Sequence, residues 1–189
     1  MTGSTHEIAS FDKWLAKQSH RHKIVIAGNH ELGFEDDPQG ARRLLKTPIY
    51  LEDSSAVIEG LLIYGSPWQP WFHDWAFNFK TGAAGQLQAK DTWARIPVDV
   101  DVLVTHGPPH GILDRTMDRS HVGCGELLDV VKRVKPKIHA FGHIHCARGA
   151  TRRGKTLFVN ACICDEAYMP TQAPIVVDFI DGRAEPVGI

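Results

Sequence analysis

The chain has 189 residues, of which 43% are hydrophobic and 23% are charged, a composition typical of a soluble globular domain with its own core. Its net charge of -1 provides no bulk attraction to nucleic acid or to an anionic membrane, so neither is an expected partner. No apolar run reaches the length of a membrane span, and the first residues lack the basic-then-apolar order of a signal peptide. We therefore expect a single cytoplasmic domain over residues 1–189.

Predicted strands alternate with predicted helices along the chain, which favours the α/β class. Ser4 and Glu7 have the spacing of a capping box, so the first helix is expected to begin there. Helical patterns cover 4–17, 41–45, 86–94 and 126–134. Short runs rich in branched apolar residues, typical of strands, cover 23–27, 56–64, 98–104, 138–141, 156–159 and 175–179.

Polar blocks follow three of the predicted strands: Gly-Asn-His-Glu at 28–31, Thr-His-Gly-Pro-Pro-His at 105–110, and Gly-His-Ile-His at 142–145. In α/β sheets, ligand sites lie beyond the carboxyl ends of strands. Neutral imidazoles and an amide oxygen suit a divalent transition ion such as Mn, Fe, Zn or Ni, which could polarise a phosphoryl oxygen. Taken alone, each histidine could equally be a hydrogen-bonded core residue; the ordered set favours a metal. The potential ligands are Asn29, His106, His143 and His145.

A ring-rich segment at 66–79 contains three tryptophans and three phenylalanines. It is either a surface loop that tucks its rings onto the body or the wall of a substrate pocket, in which rings stack on a base or aryl group. On the second interpretation, Trp68 and His73 contact substrate. Residues 148–155 are predicted to form a basic hairpin, which is either solvated charge or a binding surface, and we include Arg148 among the substrate-binding residues. The near-neutral net charge argues against a nucleic-acid site there.

The three polar blocks, in this order, resemble the later signature blocks of calcineurin-like metallophosphoesterases. Residues 65–72 (Gly-Ser-Pro-Trp-Gln-Pro-Trp-Phe), 110–114 (His-Gly-Ile-Leu-Asp) and 160–162 (Asn-Ala-Cys) are similar to the metallophosphoesterase-domain-containing subgroup, which is related to class III cyclic nucleotide phosphodiesterases. The resemblance implies a sandwich of two sheets flanked by helices. It also implies a two-metal site that hydrolyses phosphate esters, commonly phosphodiesters, so the expected substrate is a small nucleotide or aryl phosphodiester.

The resemblance also implies a role for each residue of the site. Asn29, His106 and His143 would bind one metal, and His145 would bind the other. His30 matches the family's catalytic histidine, which would protonate the leaving oxygen or steady the charge on the phosphoryl group.

Two earlier blocks of the family, Asp-x-His and Gly-Asp, have no counterpart in the 189 residues. We therefore expect one or more N-terminal strands to be missing and the dinuclear site to be incomplete, with one or two ions and low activity. A degenerate, non-catalytic metal- or nucleotide-binding module is the alternative. A missing strand would leave an open sheet edge, which a second copy of the chain could cover, so a homo-oligomer is a possible assembly.

Overall fold

The structure is a computed structural model that describes residues 2–188, so residues 1 and 189 of the predicted domain lie outside the described part. It contains five α-helices and a 3₁₀ turn: α1 (Thr5–Ala16), α2 (Gly33–Asp36), α3 (Pro38–Leu44), α4 (Gly82–Trp93), α5 (Gly125–Val134) and the turn His145–Ala147. The strands are β1 (Ile24–Val25), β2 (Ile49–Tyr50), β3 (Ser54–Ile58), β4 (Leu61–Ser66), β5 (Val102–Thr105), β6 (Ile138–Phe141), β7 (Gly149–Arg153), β8 (Thr156–Asn160), β9 (Val176–Ile180) and β10 (Arg183–Val187).

Six of the strands form one mixed sheet in the order β3-β4-β5-β6-β8-β7. The four inner strands are parallel to their neighbours, and β3 and β7 run antiparallel at the two edges. Helices α4 and α5 connect β4 to β5 and β5 to β6, as parallel pairs require. The carboxyl ends of β4, β5 and β6 therefore meet at one edge of the sheet, which confirms the predicted α/β class.

Helices α4 and α5 cover one face of this sheet. Trp93 of α4 and Leu127 of α5 are almost fully buried, and they belong to one apolar cluster with Leu103 and Phe158 of the sheet. Removing a leucine side chain from water contributes about 2 to 3 kcal/mol, so these side chains fix the helices against the strands.

Two separate two-stranded sheets lie on the opposite face, β1 with β2 and β9 with β10. The first pair approaches β4 so closely that a Cβ atom on Gly65 would lie 2.5 Å from Leu51 Cβ and 2.7 Å from Ile26 Cγ2. The second pair packs Val177 and Phe179 against an apolar cluster that includes Leu157 of β8. The strands thus form two layers, as expected for a two-sheet sandwich.

Between these two small sheets, one face of the inner strands β5 and β6 is incompletely covered. Val102, Val104 and Ile138 are only half-buried there, although parallel inner strands usually have both faces covered. Within residues 2–188, β1 pairs only with β2 and β9 only with β10. The association of two copies of the chain through an open sheet edge stays a prediction.

Most predicted elements agree with the structure to within a few residues. The capping box is present: Ser4 Oγ accepts the Glu7 N–H at 3.4 Å, and Glu7 Oε2 accepts the Ser4 N–H at 3.0 Å. The sequence patterns missed α2, β2 and β10, which are short or lack a clear apolar period. None of the helices in the described part of the chain is long and apolar enough to cross a membrane.

Candidate metal centre

His106 and His143 approach each other because they follow adjacent parallel strands. His106 comes directly after β5, and His143 lies two residues after β6. The Gly142 N–H donates to the His106 carbonyl at 2.9 Å, so strand-like pairing continues beyond both strand ends. His106 Nε2 then lies 3.2 Å from His143 Nδ1.

His143 has a left-handed backbone conformation, with φ of +70°. For a residue with a Cβ atom this conformation costs on the order of 1 to 3 kcal/mol, and it persists where the surrounding structure enforces it. Here it accompanies the tight turn in which the Ile144 N–H donates to the Gly142 carbonyl at 2.8 Å. The strain is therefore located at the residue that faces His106.

Asn29 reaches the two histidines from a different sheet. It lies four residues after β1, and its Oδ1 atom is 2.8 Å from His106 Nε2, to which its backbone N–H also points at 3.4 Å. A Cβ atom on Gly28 would lie 2.4 Å from His106 Nδ1, so this close approach of backbone and ring requires glycine. The predicted convergence of amide and imidazoles is thus present for three of the four potential ligands.

The surroundings of the two histidines favour their neutral forms. Desolvation, together with charge repulsion from the nearby His143 and His30, lowers the pKa of His106 to about 3. Desolvation likewise lowers the pKa of His143 to about 4, with His145 and His30 as the repelling neighbours. Both rings therefore keep a lone pair at neutral pH, which is the form that binds metals.

The donor set fits a cation better than a hydrogen-bond network. Asn29 Oδ1 can only accept, and His106 Nε2 carries at most one hydrogen, which cannot serve both Asn29 Oδ1 and His143 Nδ1. Ligand atoms about 2.0 Å from a tetrahedral zinc lie roughly 3.3 Å apart, which the 3.2 Å between His106 Nε2 and His143 Nδ1 matches, whereas the 2.8 Å to Asn29 Oδ1 is shorter. Within residues 2–188, however, no group of three or more His, Cys, Asp or Glu side chains is arranged to hold a metal. A metal held by this cluster would therefore need the amide oxygen as its third ligand.

His145 lines the same cavity but stands apart from the other three. Its Nδ1 lies 2.8 Å from the Asp165 carbonyl oxygen, which leaves Nε2 as the nitrogen for a metal, as is common for metal-bound histidines. No hydrogen-bond contact joins its ring to Asn29, His106 or His143 in the described residues. His145 therefore lies outside the three-residue cluster, and its role as the ligand of a second metal stays a prediction.

A cavity of 780 Å³ opens above the cluster. His30 lines it beside Asn29, with its ring edge-on to Trp75 at 4.1 Å. Trp71, Phe72 and Tyr168 form an aromatic wall, and Phe72 lies edge-on to His143 at 5.5 Å. The cavity thus combines convergent lone pairs at its base with rings at its sides.

Residues 4–147, more than half of the chain, match the model of the calcineurin-like phosphoesterase family. The chain belongs to this family. Metallophosphoesterase domain-containing protein 1 from Homo sapiens is 41% identical over 204 residues, an alignment that covers 94% of this chain and 61% of the human protein. UPF0046 protein T07D4.2 from Caenorhabditis elegans is 39% identical over 207 residues, covering 94% of this chain and 51% of that protein. The chain therefore spans about three fifths or less of the length of these relatives.

A solved structure, that of TT1561 from Thermus thermophilus, shares the fold with a TM-score of 0.55 at 13% sequence identity, covering 84% of this chain and 70% of that one. The comparisons confirm the resemblance and the fold class. Membership of the calcineurin-like phosphoesterases supports a metal-dependent phosphoesterase in general.

Of the predicted substrate-binding residues of this calcineurin-like phosphoesterase, Trp68 lies outside the cavity lining. Its Nε1–H donates to Asp53 Oδ2 at 3.0 Å, and its ring stacks on Phe79 at 5.6 Å. These contacts join it to the core, so we assign its ring to packing and correct the prediction of substrate contact.

His73 and Arg148 are also absent from the cavity lining. His73 is exposed, with φ of +51°, and its ring lies against Phe72 at 4.5 Å. Arg148 Nη2 donates to the Ala173 carbonyl at 2.6 Å, which ties the start of β7 to a later loop. The cavity wall is formed by Trp71, Phe72 and Tyr168 instead of these two predicted residues.

Two further cavity residues are cysteines. All four cysteines are free; Cys146 and Cys162 line the cavity, and desolvation raises the pKa of both thiols.

His139 of β6 is fully buried, with Nε2 2.8 Å from Thr105 Oγ1. His139 is thus the hydrogen-bonded core histidine that the alternative interpretation describes, and no sequence signal distinguished it.

Proposed function

We propose that this calcineurin-like phosphoesterase is a metal-dependent phosphodiesterase that hydrolyses a small nucleotide or aryl phosphodiester. The observation that carries the proposal is the meeting of Asn29 Oδ1, His106 Nε2 and His143 Nδ1 at separations of 2.8 and 3.2 Å. These atoms come from segments far apart in the sequence, and such convergence at a cavity base is typical of a catalytic site.

Asn29, His106 and His143 would hold one divalent transition ion, Mn, Fe, Zn or Ni, and His145 is the residue available for a second. When bound, the ion supplies Lewis-acid polarisation of a phosphoryl oxygen. The desolvation that keeps both histidines neutral at pH 7 also keeps them competent as ligands.

His30 performs the proton chemistry in this proposal. It lines the cavity next to Asn29, and its contact with Trp75 holds the ring at the cavity wall. From there it protonates the leaving oxygen as the phosphoester bond breaks, a role that contributes about 10²- to 10⁴-fold in rate. The rings of Trp71, Phe72 and Tyr168 contact the organic part of the ester.

Hydrolysis of bis-p-nitrophenyl phosphate with added Mn²⁺ tests the proposal. The wild-type protein is expected to turn over, and His106→Ala is expected to lose at least 100-fold. His20→Ala, which alters an exposed histidine outside the cavity lining, serves as the matched control and is expected to retain the wild-type rate. Equal rates for wild type and His106→Ala would remove the proposal.

A non-catalytic metal- or nucleotide-binding module is the second candidate. The observation in its favour is that the cluster contains only two histidines and an amide, with no group of three His, Cys, Asp or Glu side chains among residues 2–188. Calorimetry with AMP in the presence of Mn²⁺, Zn²⁺ or Ni²⁺, run beside the turnover assay, separates the two. Binding without hydrolysis under every metal would favour the module.

A further inference from the structure

A second hollow, of 510 Å³, lies between helix α5 and the turn that joins β7 to β8. It shares no lining residue with the cavity above Asn29, His106 and His143, which we call the metal-site cavity. Its floor is apolar and is made by Ile112, Leu128, Val131 and Phe158, three of which are buried in the core. Its volume falls within the range of about 300 to 1,000 Å³ that is usual for small-molecule sites.

Four exposed cations surround this floor: Lys132, Lys135, Arg153 and Lys155. We refer to them as the rim. Within residues 2–188, none of the four forms an ion pair with a carboxylate. The hollow therefore has a cluster of positive charge with no internal counter-charge.

Three other cations in this part of the fold, by contrast, do form ion pairs with carboxylates. Lys137 pairs with Asp101 at 2.8 Å, and Arg152 and Arg183 pair with Glu185 at 3.2 and 2.8 Å. The chain as a whole carries a net charge of -1, so an excess of basic residues does not explain the rim. The difference lies in where the acidic residues are placed.

Helix electrostatics explain only half of the rim. Lys132 lies in the last turn of α5 and Lys135 caps it, where positive charge offsets the helix dipole. Arg153 and Lys155 belong to the β7–β8 turn and have no such role. Asp114, which lies 3.9 Å from His110 of the hollow, is fully buried and already binds His121 Nδ1 at 2.6 Å.

We propose that this hollow binds an amphiphilic organic anion. The ligand places an alkyl or aromatic body on the apolar floor and a sulfonate, phosphate or carboxylate head among the rim cations. Apolar burial supplies affinity, and the rim selects for negative charge, since exposed lysine and arginine side chains can turn their charged ends toward the head group. This site is independent of the proposed phosphodiesterase activity.

The test uses two fluorescent probes of similar shape, the anion 8-anilino-1-naphthalenesulfonate and the neutral N-phenyl-1-naphthylamine. Each is titrated into wild type, into the rim variant Lys132→Glu/Lys155→Glu, and into the matched control Lys17→Glu/Lys90→Glu, which has the same change in net charge at exposed sites elsewhere. We expect the dissociation constant of the sulfonate to rise at least tenfold in the rim variant and to change less than twofold in the control. The neutral probe should bind all three proteins equally.

Equal sulfonate affinity in the rim variant and the control would overturn the proposal, as would a parallel loss of the neutral probe. The variant Leu128→Arg, which fills the floor with a polar side chain, should lose both probes, whereas His106→Ala should lose neither. Loss of the sulfonate in His106→Ala would place the probe in the metal-site cavity and refute the assignment.

Competition identifies the ligand class. Decanoate should displace the sulfonate from wild type at least ten times more effectively than decanol, because the two differ only in the head group. Equal displacement by both would show that the rim does not select an anion.

Discussion

The metal-site cavity and the basic hollow are built from the same sheet in opposite ways. In the cavity, His106 Nε2 lies 2.8 Å from Asn29 Oδ1 and 3.2 Å from His143 Nδ1, so three neutral side chains from distant segments meet around one imidazole nitrogen. Around the hollow, fixed positive charges are spread along an exposed rim and leave the apolar floor open. Converging lone pairs favour a cation, and dispersed cations above apolar surface favour an anion. Local placement rather than overall composition therefore determines what each region can bind.

The largest expected effect would sharpen the distinction between ligand and proton donor within the cavity. We expect His30→Asn to lower the kcat for phosphodiester hydrolysis by about 10² to 10⁴, because it removes the group that we propose as the proton donor to the leaving oxygen. Metal content, measured by elemental analysis, should remain that of wild type. A parallel loss of metal would show instead that His30 is a ligand.

The second prediction concerns the loop that connects the two regions, since it carries His106 at the cavity and His110 at the hollow. Asp114 within this loop is fully buried and accepts the N–H groups of Gly111 and Gly123 at 2.8 and 3.0 Å, besides binding His121. Asp114→Ala leaves these donors without a partner and should lower the free energy of unfolding by roughly 3 to 5 kcal/mol in urea denaturation.

Asp129→Ala, at an exposed position on α5, is the control for this loss and should be close to neutral. If Asp114→Ala were equally neutral, the two regions would not share a common support.

The smallest expected effect is on the pH dependence of stability, and it concerns His139, a buried histidine outside the cluster. Burial lowers the pKa of His139 from 6.5 to about 3 in the folded state. Above pH 6.5 the residue is neutral in both states; as the pH falls below 6.5, only the unfolded chain takes up the proton. Stability should therefore fall by about 1.4 kcal/mol per pH unit on account of this residue.

His139→Gln retains a partner for Thr105 Oγ1 and removes the titration. The free energy of unfolding, measured by urea denaturation between pH 7 and 5, should fall less steeply with pH in this variant than in wild type. The difference in slope should correspond to about one proton taken up on unfolding. His20→Gln should keep the wild-type slope, and an unchanged slope in His139→Gln would contradict the assignment.

The sequence was sufficient to predict most of the elements and the three side chains that converge, because each of these residues follows a strand-like run; their role as metal ligands stays a prediction. Asn29, His106 and His143 were found on this basis, and the order of the blocks added the family. His145 shares a block with His143, but its ring turns toward Asp165, and backbone geometry of this kind has no local sequence pattern.

Side-chain direction within an irregular segment was not predictable either. Two interpretations of the ring-rich segment were open, and each describes part of it: Trp71 and Phe72 line the cavity, whereas Trp68 packs on Phe79. The rim joins α5 to the β7–β8 turn, and only the folded sheet brings these segments together. The cytoplasmic location, the single domain over 1–189 and the identity of the ester stay predictions.

Gly28 illustrates how a residue without a functional group can govern this chemistry. Any side chain there would enter the space occupied by the His106 ring, since even a Cβ atom would lie 2.4 Å from Nδ1. A natural variant at this position would therefore resemble the loss of a ligand in its phenotype. The effect of such a variant would come from the loss of the space that the backbone leaves for an imidazole ring. A search limited to chemically reactive side chains would overlook this position.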